Sequence, residues 1–132
     1  MRSGLFRALE RSSILTAAGN DFGFDEIFAR QIEGLGRPGD LLVLHSTSGR
    51  STNLLRAAEV ARSCGLRTVA YLARDGGPLR ALVDLAVVVP TDVTAHAQEI
   101  HLALGHAVCD EVDRLYASRE TPGAPSSEGG DP

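Results

Sequence analysis

The chain has 132 residues, 43% of them hydrophobic and 23% charged, enough for one domain with a single core and too few for two. Its formal net charge of −4 argues against a nucleic-acid groove or a polybasic membrane patch. No apolar run approaches the ~20 residues that cross a bilayer, and the basic start MRSGLFRALERSS is too interrupted by polar residues for a signal peptide. The expectation is a cytoplasmic protein with no nucleic-acid and no membrane partner.

Taken in chain order, the first eleven residues show no clear element. Ser12 to Ala18 reads as a short strand or the remnant of one, and Gly19-Asn20-Asp21 as a turn. Phe24, Ile27, Phe28, Ile32 and Leu35 then recur at helical spacing, with a stop at Gly34 or Gly36. Arg37 to Asp40 is a loop. Leu41 to Leu44 is apolar at every position, as a parallel strand covered on both faces would be.

A helix over Thr52 to Cys64 follows, with Gly65 as its stop. "LRTVAYLA" is the next strand, "RDGGP" a turn, Leu79 to Val83 a short helical piece, and "LAVVVP" a third strand. One long helical pattern runs from Thr94 to about Ser118. The two cysteines, Cys64 and Cys109, lie within apolar helical patterns and read as reduced core thiols. The end, "SRETPGAPSSEGGDP", has the composition of a disordered tail. Alternating strands and helices of these lengths predict an α/β fold with a parallel sheet and right-handed crossovers.

The loop between the first clear strand and its helix holds Ser46, Thr47, Ser48, Gly49, Arg50 and Ser51. In open α/β sheets, ligands sit beyond the carboxyl ends of strands. The helix beginning near Ser51 would aim its open amides and positive dipole end at this loop. Gly49 lets backbone approach an anion closely. No lysine is present, so this is not a nucleotide P-loop. Two readings stand: a cradle for the phosphate of a small molecule, or a serine cap with a polar turn.

"STSGRSTNLLRAAEVARSCGLRTVAYLARDGG" resembles the STSG-x-S segment of sugar isomerase (SIS) domains, and among those the phosphoheptose isomerases. "GNDFGFDEIFARQIEGLGRPGD" before the strand, "DGG" after the next one and "QEIH…H" in the last helix agree in order and spacing. The resemblance covers about residues 12–117 and implies an SIS-type, flavodoxin- or Rossmann-like three-layer α/β/α fold. Residues 1–11 are then a divergent segment and 118–132 a disordered tail.

It further implies conversion of sedoheptulose 7-phosphate to D-glycero-D-manno-heptose 7-phosphate, an aldose–ketose isomerisation through an enediol. The phosphosugar would be held by Ser46, Thr47, Ser48 and Ser51, and contacted by Asn20, Asp21 and Gln98. For Asn20 and Asp21 the residues alone allow an Asx turn capping a helix as well.

The last helix carries Gln98, Glu99, His101 and His106 on a mostly apolar pattern with two apolar faces, which predicts a homo-oligomer, dimer or tetramer, or pairing with a second SIS chain. The resemblance implies Zn2+, with Gln98 and His106 as ligands and His106 also as the catalytic acid or base. Eight residues of helix rise ~12 Å, too far for both to meet one ion at ~2 Å, so such a site would be shared with another segment or subunit. His101 lies ~140° around the helix from His106 and reads as a structural or interface histidine.

The family's N-terminal helices, its first strand, a GNGGS-type loop and a His-x-x-x-Glu that supplies a base and metal ligands have no counterpart here. The family's Asn after STSG is Arg50, and its Asp-Thr before QEIH appears as Val93-Thr94. Three explanations remain: a truncated gene, a subunit that completes its site with a second SIS chain, or a non-catalytic binding module similar to the DnaA-associating SIS proteins.

Overall fold

The computed structural model describes Leu9 and residues 11–120. Helix α1 spans Ser12–Phe22, a 3-10 turn Phe24–Glu26, and α2 Ala29–Leu35. Strand β1 (Leu41–Ser46) leads through α3 (Thr52–Ser63) to β2 (Arg67–Ala73), and α4 (Leu79–Leu82) to β3 (Leu85–Val89), before α5 (Thr94–Glu120). The three strands form one parallel sheet in the order β1-β2-β3, with Leu44 beside Ala70 and Ala70 beside Ala86. The α/β expectation is met, and its three clear strands are those observed.

The sheet has two unlike faces. Leu42, Leu44, Ala70, Leu72, Ala86 and Val88 point to the face where Ala57, Ala58, Val60 and Ala61 of α3, Ile32 of α2 and Leu79 of α4 complete the main core. The opposite face is covered by the start of α5, where Ala97 packs on Ala73 and Val89. Leu41, Val43 and Leu85 on that face are exposed, at 60%, 44% and 56%.

Four expectations are corrected. Ser12–Ala18 is helix rather than strand, and Gly19-Asn20-Asp21 lies inside α1 rather than in a turn. Arg11 O accepts from Ile14 N (3.0 Å) and Leu15 N (2.9 Å) and starts the helix, while Ala18 is buried. The true stop is Gly23, at φ 90, whose N–H bonds Gly19 O. The helix expected from Phe24 is broken, a 3-10 turn preceding α2. Strand β1 runs two residues further than expected and is covered on one face only, with Leu44 and Ser46 its buried positions. Helix α5 continues to Glu120; the expected disordered tail beyond it, like most of segment 1–11, falls outside the described residues.

Candidate functional site

The carboxyl end of β1 and the start of α3 bracket the serine loop. Ser51 is the N-cap of α3, with φ −66 and ψ 119, and its side chain makes no capping bond. The first intrahelical bonds run from Leu54 N and Leu55 N to Ser51 O, both 3.0 Å, so the amides of Thr52 and Asn53 precede the helical ladder and open onto the loop. Ser46 Oγ accepts from Gly49 N at 3.0 Å, and Ser48 Oγ accepts from Arg50 N at 3.2 Å. Each hydroxyl so used keeps its own proton to donate. Among the described residues, the Thr47 and Ser51 hydroxyls meet no partner. The loop is therefore a set of hydroxyl donors around a helix N-terminus.

A second loop, from Arg74 to Pro78, is pressed against the first. Gly49 has φ 62, and a Cβ there would lie 1.9 Å from Gly76 O; a Cβ on Gly77 would lie 2.5 Å from Ser48 O. Only glycine permits this backbone-to-backbone approach. Leu79 N donates to Gly49 O at 3.1 Å. Arg50 Nη2 meets Asp75 Oδ2 at 2.6 Å, and Asp75 Oδ1 accepts from Gly77 N at 3.0 Å. The Gly77 N–H first, and the Arg50 guanidinium with it, hold the Asp75 carboxyl below its ordinary value.

The start of α3 is also clamped from the 3-10 turn. The Thr52 hydroxyl donates to Asp25, and Arg56 Nε meets Glu26 Oε1 at 2.9 Å. The hydrogen bond to Glu26 raises the Arg56 value above its usual one. These clamps, and the Arg50–Asp75 pair, join residues 25 to 30 positions apart. The "DGG" turn was the one signal in the sequence that pointed to any of them.

The other expected site residues are placed elsewhere. Asn20 Nδ2 bonds Asp21 Oδ1 at 2.9 Å in the last turn of α1, with both side chains exposed. Asp21 borders an apolar groove between α1 and α2, beside Phe22 and Arg30. Among the described residues, no hydrogen bond or ion pair joins Asn20 or Asp21 to the serine loop.

Helix α5 runs back along the sheet from the carboxyl ends of the strands. Ala97 packs at Ala73 and Val89, and His101 Nε2 bonds Leu72 O at 2.9 Å. His101 is 4% exposed and sits between the rings of His45 (centroids 6.0 Å) and Tyr71 (5.9 Å), the packed position of a structural histidine. Gln98 lies nearer the loop and His106 more than a turn further from it; both are exposed. The described residues contain no group of three His, Cys, Asp or Glu able to hold a metal. Gln98 and His106, two turns apart, do not build a zinc site by themselves. The His45–Tyr71 ring pair, centroids 5.0 Å apart, was missed because pairing across β1 and β2 is set by register.

A parallel sheet with a hydroxyl- and glycine-lined loop at the mouth of α3 is the framework of an SIS domain, and the SIS domain model matches residues 5–73. The chain belongs to the SIS domain family. Within it, the chain is 52% identical over 103 residues to a phosphoheptose isomerase of Akkermansia muciniphila, covering 78% of this chain and 54% of that protein. It is 50% identical over 106 residues to one from Paramagnetospirillum magneticum, 80% of this chain and 55% of that one. The solved phosphoheptose isomerase of Neisseria gonorrhoeae superposes with a TM-score of 0.78 at 44% identity, over 80% of this chain and 59% of that one. That of Francisella tularensis does so at 0.79 and 37% identity, over 81% and 58%. The chain spans a little over half the length of the relatives it matches.

Proposed function

We propose that this chain binds a sugar phosphate at the loop 46–51, with sedoheptulose 7-phosphate as the ligand of choice, as part of a phosphoheptose isomerase. The observation that carries this reading is the loop itself. Four hydroxyls, from Ser46, Thr47, Ser48 and Ser51, lie around the N-terminus of α3, and Gly49 lets the loop pack backbone to backbone against Gly76 and Gly77. Similarity to phosphoheptose isomerases supports the sugar. In this reading Asn20, Asp21 and Gln98 contact the substrate, as the family resemblance implies.

The isomerisation moves a proton between adjacent sugar carbons and requires an acid and a base in place. His106, on α5, is the candidate that the family resemblance picks out among the described residues. Catalysis therefore belongs to an assembly that takes its partner group from beyond the described residues: from the rest of a longer chain, a second copy or a second SIS chain. Zinc enters only as an ion shared in that assembly, with Gln98 or His106 among its ligands. The exposed apolar side chains of α5, Leu102 and Val108 among them, support such an assembly, and among the described residues no helix is long and apolar enough to cross a membrane. A second reading, a non-catalytic phosphosugar-binding module, is favoured by the distance between His106 and the loop.

Calorimetry with sedoheptulose 7-phosphate, with and without Zn2+, tests the proposal on the wild type and Ser48→Ala. Binding that the substitution weakens supports the phosphate loop. Binding unchanged by Zn2+ and without turnover selects the module. Absence of binding in every condition overturns both.

A further inference from the structure

We propose that Arg50 is a phosphate-binding, specificity-determining residue held in reserve by Asp75, so that the loop selects a phosphate dianion over a monoanion. The inference deepens the proposed function and rests on its phosphate loop.

Arg50 follows Gly49 directly, and its backbone N–H is already committed to Ser48 Oγ, which sets the residue at the rim of the hydroxyl ring. Its guanidinium is not buried in structure; it meets Asp75 Oδ2 across the second loop, with the two side chains 59% and 64% exposed. Exposed pairs of this kind contribute little to stability. The loops do not depend on it to stay together, because Leu79 N already bonds Gly49 O and the glycine backbones are in contact. The pair is therefore cheap to open. A phosphate dianion seated on the hydroxyls offers the guanidinium two oxygens and more charge than one carboxylate, and a forked, charge-assisted contact is the stronger one.

Asp75 has a second effect. Its carboxylate stays ionised, since Gly77 N–H and Arg50 both favour the charged form. It thus places a negative charge beside the anion site whenever Arg50 turns away. The Asp75 repulsion grows with ligand charge as the Arg50 attraction does, so what separates the two ligands is the fixed cost of opening the pair, which the forked contact to a dianion offsets more fully than a contact to a monoanion. The pair acts as a threshold on ligand charge.

The test is a calorimetric cycle on the full chain: wild type, Arg50→Asn, Asp75→Asn and the double variant, each titrated with sedoheptulose 7-phosphate, inorganic phosphate and sulfate at low salt. Asn at position 75 can still accept from Gly77 N–H, so the turn is kept, and circular dichroism melting checks that each variant folds. Arg50→Asn is expected to weaken sedoheptulose 7-phosphate about tenfold. Asp75→Asn is expected to tighten it about threefold. Wild-type affinity for sedoheptulose 7-phosphate, a phosphate monoester, is expected to rise as pH passes its second ionisation near ~6, and this rise to shrink in Arg50→Asn.

Tighter binding cannot arise from damage, so the sign at Asp75 separates a ligand role from a structural one. Unchanged binding in Arg50→Asn, or weaker binding in Asp75→Asn, overturns the inference while the phosphosugar reading stands. Arg50-dependent binding of inorganic phosphate without any of sedoheptulose 7-phosphate supports the inference and overturns the sugar. No binding of any anion overturns both.

Discussion

On one face of the sheet, Leu44, Ala70 and Leu72 lie beneath α3 and α4 and are 4%, 0% and 0% exposed; on the other, Leu41, Val43 and Leu85 stand at 60%, 44% and 56%. Both faces are built from the same aliphatic runs. What differs is the cover: three helices on the first, and the opening turns of α5 on the second. Stability is drawn from the first face, and the second is available for contact with another chain. The serine loop and the "DGG" turn lie at the carboxyl edge where the two faces meet.

The largest effect should come from the covered face. Leu72→Ala empties a fully buried position in the main core, and urea unfolding should show a loss of about 2–5 kcal/mol. A loss below about 1 kcal/mol would mean that the covered face is not the stabilising one.

Next comes the edge between the faces. Gly49→Ala places a methyl 1.9 Å from Gly76 O at φ 62, so the two loops must part. Left-handed backbone alone costs about 1–2 kcal/mol for a residue with a Cβ, and the displacement adds to it. The same variant is expected to lose sedoheptulose 7-phosphate binding in calorimetry. A stable Gly49→Ala protein that still binds would show the loop contact to be incidental.

The comparison also shows what could be read from the sequence. Strands β1 to β3 and helix α3 were legible because short aliphatic runs end at Gly65, at Gly76-Gly77 or at Pro90. Coverage was not: in "LLVL" every residue is apolar, so the alternation that separates Leu42 and Leu44 from Leu41 and Val43 is invisible until α5 is placed. Ser12–Asp21 was misread because Ile14, Leu15 and Thr16 suit a strand locally, while the helix is decided by Arg11 O at its start and Gly23 at its end. The position of the serine loop was legible from its place between strand and helix. Of the contacts around it, Asp75 was marked by the "DGG" turn, while Asp25 and Glu26 were not, since they reach Thr52 and Arg56 of α3 from 27 and 30 residues away.

A smaller effect marks the other end of the covered face. Asp84 Oδ2 accepts from Thr68 N at 2.7 Å and from the Thr68 hydroxyl at 3.0 Å, tying β3 to β2. The Thr68 N–H first, then its hydroxyl, lower the Asp84 carboxyl below 3.8. A carboxyl depressed by folding adds stability above its unfolded value, and that contribution is lost as pH falls through the folded one. Thermal melts of wild type and Asp84→Asn should therefore differ by a constant margin above the ordinary carboxylate range and converge as pH falls below it. A margin independent of pH would assign the loss to geometry rather than to ionisation.

The smallest change in stability is expected on the open face, and there it is the most informative. Val43→Asp puts a charge on a position already 44% exposed, so unfolding of the separated chain should shift by less than about 1 kcal/mol. The same substitution at Leu44, one residue on and facing the core, buries an unpaired charge and should prevent folding. Sedimentation velocity then reads what the open face is for. Self-association in the wild type that Val43→Asp abolishes, with the melt unchanged, places the second chain on this face. Association that survives the substitution moves the contact to the apolar side chains of α5 beyond the sheet, where Leu102→Asp becomes the variant to measure.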